Sequence, residues 1–236
     1  MELKNVSSLW IGGALSPIEQ ASIKSFLNRG HNYTLYSYNR VENVPLGCCV
    51  RDGREILPES RIFSYKTGVG AGSFSACSNM FRYKLLLMKE TYWVDTDVIC
   101  IKQFDFTDDY VFGWEDDIRI GSAVIRAPQD SHIIARALAV ALEKGENVEW
   151  GEVGPGLLTD LLLEAKMSVT AKPVETFYPI HYGSWRMPFN PANFDELSER
   201  CKDSYSLHLW NEMYRRSDFN KFSEIDPGSW IAKISS

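Results

Sequence analysis

The chain has 236 residues, of which 44% are hydrophobic, so it suits a globular protein with a large core and excludes a disordered one. Its formal net charge of −6 argues against a general nucleic-acid-binding protein. No apolar stretch approaches about 18 residues, so the sequence predicts no membrane span. The first five residues lack a basic region before an apolar run, so no signal peptide is predicted, and five cysteines without a CxxC pair predict reduced thiols in a cytoplasmic setting.

The first part of the chain predicts a strand–helix–strand unit. Residues 6–11 are typical of a strand, and Ser16 and Glu19 form the capping-box pattern that begins a helix. That helix is expected to end at Gly30, and a second strand is expected over residues 33–38. Such a unit favours a parallel sheet whose ligands bind at the carboxyl ends of its strands.

Residues 41–72 contain prolines and several glycines, which predicts loops with short pieces of structure. The glycine-rich run 68–72 indicates either a flexible hinge or a phosphate cradle, and the hinge is favoured because the run does not match G-x-G-x-x-G. A helix is then predicted over residues 74–89, where Asn79 and Arg82 share one face. That face either meets a ligand or carries solvated surface residues.

The most informative segment of the chain is residues 92–101, in which two apolar runs enclose Asp95 and Asp97. The apolar runs are typical of buried strands, and burial of an unpaired charge is costly, so the acids should lie at the exposed end of a strand. In an extended chain the two side chains point the same way, and two carboxylates suit a hard divalent cation. A short acidic turn is the alternative.

The remaining sequence predicts further alternation of strands and helices. The predicted elements are strands at 110–114 and within 118–127, helices at 131–143 and 157–165, a partly extended stretch at 169–177, and a strand at 204–210. The first of these strands ends in Glu115, Asp116 and Asp117, which either line an acceptor site or form a solvated acidic turn. On the last strand, His208 and Trp210 are expected on one face.

Residues 74–98 resemble the DxD sugar-binding region of a glycosyltransferase family. That family includes yeast initiating mannosyltransferases, animal α1,4-galactosyl- and N-acetylglucosaminyltransferases, and bacterial capsule and lipopolysaccharide enzymes; the clostridial glucosylating toxins carry a related pattern. The residues in step with the family core are Ser78, Arg82, Tyr83, Tyr92, Asp95 and Asp97. Residues 9–13, 154–156 and 207–211 resemble its first strand, its G-P segment and its H-x-W segment. Asn79 departs from the family, which has Asp there, and Lys89-Glu90 replaces Gly-Gly.

The resemblance implies an α/β fold and an activity. The expected fold is a single GT-A-like, Rossmann-like nucleotide-binding domain over residues 1–236, with a mostly parallel central sheet flanked by helices. Residues 1–100 would bind the nucleotide sugar and residues 101–236 would face the acceptor. The expected activity is a metal-dependent, retaining glycosyltransferase in surface polysaccharide synthesis, with a UDP-sugar favoured over a GDP-sugar and a saccharide or glycolipid as acceptor. The expected location is cytoplasmic, with peripheral contact at the inner membrane face left open.

The resemblance also implies roles for particular residues. Asp95, Asp97 and His208 are expected to hold Mn²⁺ or Mg²⁺, and Asp95, Asp97 and Arg82 are expected to be catalytic. The residues expected to bind substrate are Trp10, Asn79, Arg82, Asp95, Gly154, Trp210 and Asn211, with Trp10 stacking on the base. Two other functions stay open: a haloacid-dehalogenase-type phosphatase that uses Asp95 and Asp97, and a sugar-nucleotide-binding protein without turnover, suggested by Asn79.

Overall fold

The computed structural model describes residues 4–235. The start of the chain, where no signal peptide is predicted, therefore lies partly outside the described residues. The strands are β1 (Asn5–Trp10), β2 (Asn32–Ser37), β3 (Cys49–Asp52), β4 (Tyr92–Val94), β5 (Val98–Cys100), β6 (Val124–Ile125) and β7 (Ser206–His208). Five of them form one sheet in the order β3-β2-β1-β4-β6, and β5 pairs separately with β7.

The large sheet is mostly parallel, as the sequence predicts. β1 pairs in parallel with both β2 and β4, β2 pairs in parallel with β3, and β6 is antiparallel to β4. In the β1–β4 pairing Ser7 lies opposite Trp93, so the carboxyl ends of the two strands meet at one edge. Trp10 ends β1 and Asp95 directly follows β4, which places both residues at that edge.

Helices cover both faces of the sheet. They are α1 (Pro17–Asn28), α2 (Ser75–Met88), α3 (His132–Lys144), α4 (Pro155–Glu164), α5 (Val174–Phe177), α6 (Phe194–Arg200), α7 (Asn211–Arg215) and α8 (Trp230–Ser235). The predicted capping box is confirmed, since the Ser16 side chain accepts from Ile18 and the Glu19 carboxylate accepts from the Ser16 N–H at 2.8 Å. α1 ends two residues before Gly30, whose φ is +80°.

Successive side chains of β4 point to opposite faces of the sheet and belong to different parts of the core. Tyr92 and Val94 pack in the apolar cluster that contains Phe26 of α1, whereas Trp93 packs in the cluster that contains Phe81 of α2. A third cluster joins α1 to β5, β7 and the C-terminal helices. No helix among residues 4–235 is long and apolar enough to cross a membrane.

Several predicted elements differ in the structure. Residues 110–114 and 118–127 form isolated bridges around the two-residue strand β6, because long loops and not continuous strands cover this edge. Residues 169–177, predicted to be partly extended, contain short helices on either side of Lys172, which forms a bridge with Gly113. The late strand is only β7, and residues 92–101 contribute two strands to two different sheets.

Candidate active site

The chain turns at Asp95 and Asp97 as it passes from β4 to β5. The Val98 N–H donates to the Asp95 carbonyl at 3.2 Å and closes the turn, and the Asp95 N–H donates to Ala123 at 2.9 Å. The prediction that an extended strand aligns the two carboxylates is therefore wrong, because this turn brings them together. One ligand atom from each of Asp95, Asp97 and His208 lies within 4.8 Å of the other two. We call these three residues the metal group.

Asp97 is held by the C-terminal part of the chain. Its Oδ2 accepts the Asn211 N–H at 2.6 Å and lies 3.2 Å from His208 Nε2, and its carbonyl accepts the Leu209 N–H at 2.8 Å. Burial by itself would raise the pKa of Asp97, but the His208 charge and the hydrogen bonds from His208 and the Asn211 N–H lower it below its ordinary value. These contacts favour the charged form of Asp97, and Asn211 contacts the metal group through its backbone.

Asp95 is held from the opposite side. Its Oδ1 accepts from Arg82 Nη2 at 3.0 Å and from Trp93 Nε1 at 2.7 Å. Burial raises the pKa of Asp95, Arg82 lowers it and Asp97 raises it, with the net effect upward. Its Oδ2 accepts no hydrogen bond from the described residues, which leaves one oxygen available to a cation.

Arg82 is 3% exposed and lies inside the protein. Besides Asp95, its guanidinium donates to the Ser122 carbonyl and stands 4.9 Å from the centroid of the Trp93 ring. Asn79 is also buried, so the alternative of solvated surface positions does not hold for this helix face. In this structure Arg82 orients Asp95; its direct contact with a substrate stays a prediction.

His208 and Trp210 come into ring contact, with centroids 4.3 Å apart. Trp210 has a φ of 60° in the left-handed region and stands at the start of α7, so the two residues do not share a strand face in the predicted way. Burial would lower the pKa of His208, but Asp97, Asp95 and Glu115 together raise it above 6.5. His208 Nδ1 is buried without a hydrogen-bond partner among residues 4–235.

The remaining predicted substrate residues lie on β1, on α2 and just before α4. Trp10 is half-buried at the end of β1, and the Lys221 ammonium stands 4.8 Å from the centroid of its ring. Asn79 of α2 is next to Gly154, the residue before α4, since a Cβ added at Gly154 would lie 3.0 Å from Asn79 Nδ2. The end of β1, helix α2 and the start of α4 thus carry predicted substrate residues from separate parts of the sequence.

The sequence left open whether Glu115 lines an acceptor site or belongs to a solvated acidic turn. Its side chain is 11% exposed and lies 3.5 Å from the Arg119 guanidinium, whereas Asp117 two positions later is exposed. Burial raises the pKa of Glu115, while Arg119 and His208 lower it and Asp95 raises it. The acidic run therefore contains one nearly enclosed carboxylate as well as an exposed acid. Tyr178, whose hydroxyl accepts the Ala123 N–H at 3.2 Å, gave no signal in the sequence.

The chain is similar in sequence to a group of sugar-transferring enzymes. Residues 128–226 match the family described as the alpha 1,4-glycosyltransferase conserved region. Lactosylceramide 4-alpha-galactosyltransferase from Homo sapiens is 27% identical over 143 residues, which cover 56% of this chain and 40% of the human protein. The protein of the same name from Pongo pygmaeus is 25% identical over 202 residues, which cover 79% of this chain and 89% of that relative. This chain thus spans less than half the length of the human relative.

The fold is also shared with a solved structure. The PaToxG glycosyltransferase aligns with a TM-score of 0.52 over 98% of this chain and 83% of that one, at 12% sequence identity. Together with the mostly parallel sheet between helices, this similarity confirms the predicted GT-A-like α/β fold.

Proposed function

We propose that this chain, a relative of the glycosyltransferases in sequence and fold, moves a sugar from a nucleotide sugar to a saccharide or glycolipid acceptor with the help of a divalent cation. One observation carries the proposal: ligand atoms of Asp95, Asp97 and His208 lie within 4.8 Å of one another beside the carboxyl edge of the sheet. The relatives named lactosylceramide 4-alpha-galactosyltransferase motivate the glycolipid alternative for the acceptor.

The donor set of the metal group fits a hard or borderline divalent cation. Two carboxylates and an imidazole suit Mn²⁺, and the carboxylates alone suit Mg²⁺. The available Asp95 Oδ2 is an acceptor that such an ion would satisfy. A bound ion would act as a Lewis acid toward the diphosphate leaving group. Arg82 and the Asn211 N–H would keep the two carboxylates in place while it is bound.

The chain's own residues would orient the donor around that ion. Trp10, at the end of the neighbouring strand, would stack on the base, and Asn79 beside Gly154 would hydrogen-bond sugar hydroxyls. We propose a UDP-sugar as donor and retention of the anomeric configuration, as the resemblance implies. The division of one domain into donor and acceptor halves, a role in surface polysaccharide synthesis and a cytoplasmic or membrane-peripheral location stay predictions.

The two alternative functions differ in their support. The reported relatives are glycosyltransferases, which favours sugar transfer over a phosphatase, and Asp95 Oδ1 is already engaged by Arg82 and Trp93. A sugar-nucleotide-binding protein without turnover keeps one specific motivation, because Asn79 lacks the charge of the family's Asp.

A turnover assay tests the proposal. The full chain would be incubated with Mn²⁺ and a panel of UDP- and GDP-sugars, with and without saccharide acceptors, while nucleotide release is measured. We expect release with at least one donor and its loss on exhaustive chelation. Binding of nucleotide sugars without release would support the non-catalytic alternative, and neither binding nor release would overturn the proposal. Phosphate release from simple phosphomonoesters would favour the phosphatase.

A further inference from the structure

Three aromatic rings form a row that runs from the metal group to solvent. The Trp210 ring contacts that of His208, and the Tyr182 ring stands edge-on to Trp210 with centroids 6.1 Å apart. Trp210 Nε1 donates to the Ile180 carbonyl at 3.1 Å, so the ring and not the N–H is what Trp210 offers to a ligand. Tyr182 is 43% exposed, so the outer end of this aromatic row is open.

A nearly enclosed carboxylate lies on a hairpin that packs beside the inner end of the row. The Glu115 side chain is nearly enclosed, and the Glu115 N–H closes a hairpin on the Arg119 carbonyl. Gly121 of the same hairpin lies against Tyr178, whose ring centroid stands 5.8 Å from that of His208. Arg119, the cation paired with Glu115, stands 3.5 Å away and gives two shorter hydrogen bonds, at 2.9 and 2.6 Å, to Asp116. Glu115 therefore keeps acceptor capacity that the described residues leave unused.

Arg119 is the exposed cation of the same hairpin. Its side chain is 46% exposed, and Tyr178, on which the hairpin packs, also contacts the Trp210 ring, with centroids 6.0 Å apart. The hairpin that carries Glu115 and Arg119 thus meets the aromatic row that ends in Tyr182 at Tyr178, next to the metal group. The donor residues Trp10 and Asn79 belong to other elements, β1 and α2.

We propose that Glu115, Arg119 and Tyr182 form the subsite that binds the acceptor saccharide, an inference that rests on the proposed glycosyltransferase function. A saccharide presents apolar C–H faces, which pack on aromatic rings, and hydroxyl edges, which pair with a carboxylate as acceptor and a guanidinium as donor. A site built to hydrogen-bond a hydroxyl strongly rejects a ligand that lacks it. This subsite would therefore select the acceptor, while Trp10 and Asn79 select the donor.

Saccharide binding and UDP binding are measured separately to test the subsite. In the presence of UDP and Mn²⁺, methyl β-lactoside, methyl β-galactoside and methyl α-mannoside would be titrated by saturation-transfer NMR. We expect Glu115→Gln and Tyr182→Ala to weaken binding of the preferred glycoside at least fivefold and to leave the UDP dissociation constant within twofold. Asp117→Asn, an exposed acid in the same loop, is the matched control and should change neither value.

The outcomes separate this subsite from the proposed function. Unchanged glycoside binding in both variants, or an equal loss of UDP affinity, would overturn the subsite. A wild-type protein that binds UDP and releases nucleotide but binds no glycoside of the panel would also overturn it and leave the proposed function standing. A wild-type protein that binds neither UDP nor a nucleotide sugar would overturn both. Tyr182→Phe keeps the ring and should keep glycoside binding, and an unchanged UDP dissociation constant in Tyr182→Ala excludes a folding defect as the cause of its loss.

Discussion

The backbone N–H of Asn211 donates to Asp97 Oδ2 at 2.6 Å, although the two residues are 114 positions apart in the chain. The same C-terminal segment supplies His208, and its Leu209 N–H binds the Asp97 carbonyl. One side of the metal group is thus fixed by residues that follow β7, and the other side by Arg82 of α2. Disturbing either support should change how the two carboxylates are presented to an ion.

Asp97→Asn should keep the fold and abolish most turnover. Asparagine is close to aspartate in size and can still accept the Asn211 N–H, but it removes one negative ligand. We expect nucleotide release to fall by about 100-fold or more, on the scale reported for losing one charge-stabilising group in an active site. Release would be measured at saturating Mn²⁺, with Asp117→Asn as control. Full activity in Asp97→Asn, or in wild type after exhaustive chelation, would reject the site.

Mn²⁺ affinity should fall as the pH is lowered through the raised pKa of His208. Only neutral imidazole binds a metal ion. Because the pKa of His208 is raised above 6.5, protonation of the ring already competes with Mn²⁺ above pH 6.5. In metal-free protein the stability changes with pH in the opposite direction. Protonated His208 pairs with Asp97 and stabilises the fold. This contribution to stability is present below pH 6.5 and is lost as the pH rises through the raised pKa. Thermal unfolding with and without Mn²⁺ across pH 6–9 would measure both trends. His208→Gln should remove both, and parallel pH profiles for the variant and wild type would contradict the assignment.

Arg82→Met should destabilise the protein strongly. The substitution leaves the Asp95 carboxylate partly buried without its guanidinium, and the Ser122 carbonyl loses a donor. Breaking such a pair by removing one partner costs about 3–5 kcal/mol of unfolding free energy. Urea unfolding monitored by circular dichroism would measure the loss. Arg82→Lys keeps the charge but cannot donate to both Asp95 and Ser122 as the guanidinium does, so it should lose less unfolding free energy. An unfolding free energy equal to wild type in Arg82→Met would show that the Arg82–Asp95 pair contributes little.

Trp10→Ala should weaken nucleotide binding by about 1–3 kcal/mol, the scale of base–aromatic stacking. Calorimetric titration with UDP and Mn²⁺ would give the difference in dissociation constant. The rival interpretation is a core tryptophan, since the ring is half-buried and packs on an apolar cluster. Circular dichroism and thermal unfolding separate the two: a variant that is less stable but binds UDP normally once folded favours the rival interpretation.

Local signals predicted part of the fold well. The β1–α1–β2 unit was predictable because its signals are local: the capping box and the periodic spacing of apolar residues each lie within a few neighbouring positions. β3 gave no signal, since all four of its residues are exposed at the sheet edge. The strands predicted at 110–114 and 118–127 are present only as isolated bridges and the two-residue β6, since part of their backbone pairs with distant segments, such as Gly113 with Lys172.

The candidate site was predictable in its residue types but not in its geometry. The apolar flanks and the family resemblance pointed to Asp95 and Asp97, yet the turn between them depends on β5 pairing with β7, more than 100 positions later. The exposure of the acidic residues 115–117 also depends on tertiary packing. Glu115 is nearly enclosed while Asp117 is exposed, and nothing in the local sequence distinguishes the two.

Asn79→Asp should change which donor sugar reacts fastest and leave nucleotide affinity nearly unchanged. A carboxylate accepts hydrogen bonds at both oxygens, whereas the amide accepts at one atom and donates at the other. Hydrogen bonds to charged groups contribute about 1.5–3 kcal/mol against about 1 for neutral ones, enough to reorder donors that differ in hydroxyl arrangement. Nucleotide release would be ranked across UDP- and GDP-sugars for both proteins.

Gly154→Ala is the independent test of the same contact. A methyl group there would lie 3.0 Å from Asn79 Nδ2, so the amide must move, and the donor ranking should change without any change at Asn79 itself. Gly13→Ala is the matched control, because a Cβ at that position meets no atom within 4 Å. Identical donor rankings in wild type, Asn79→Asp and Gly154→Ala would show that Asn79 does not face the donor. Turnover in Asn79→Asp together with none in wild type would instead support a sugar-nucleotide-binding protein whose missing carboxylate is restored by the substitution.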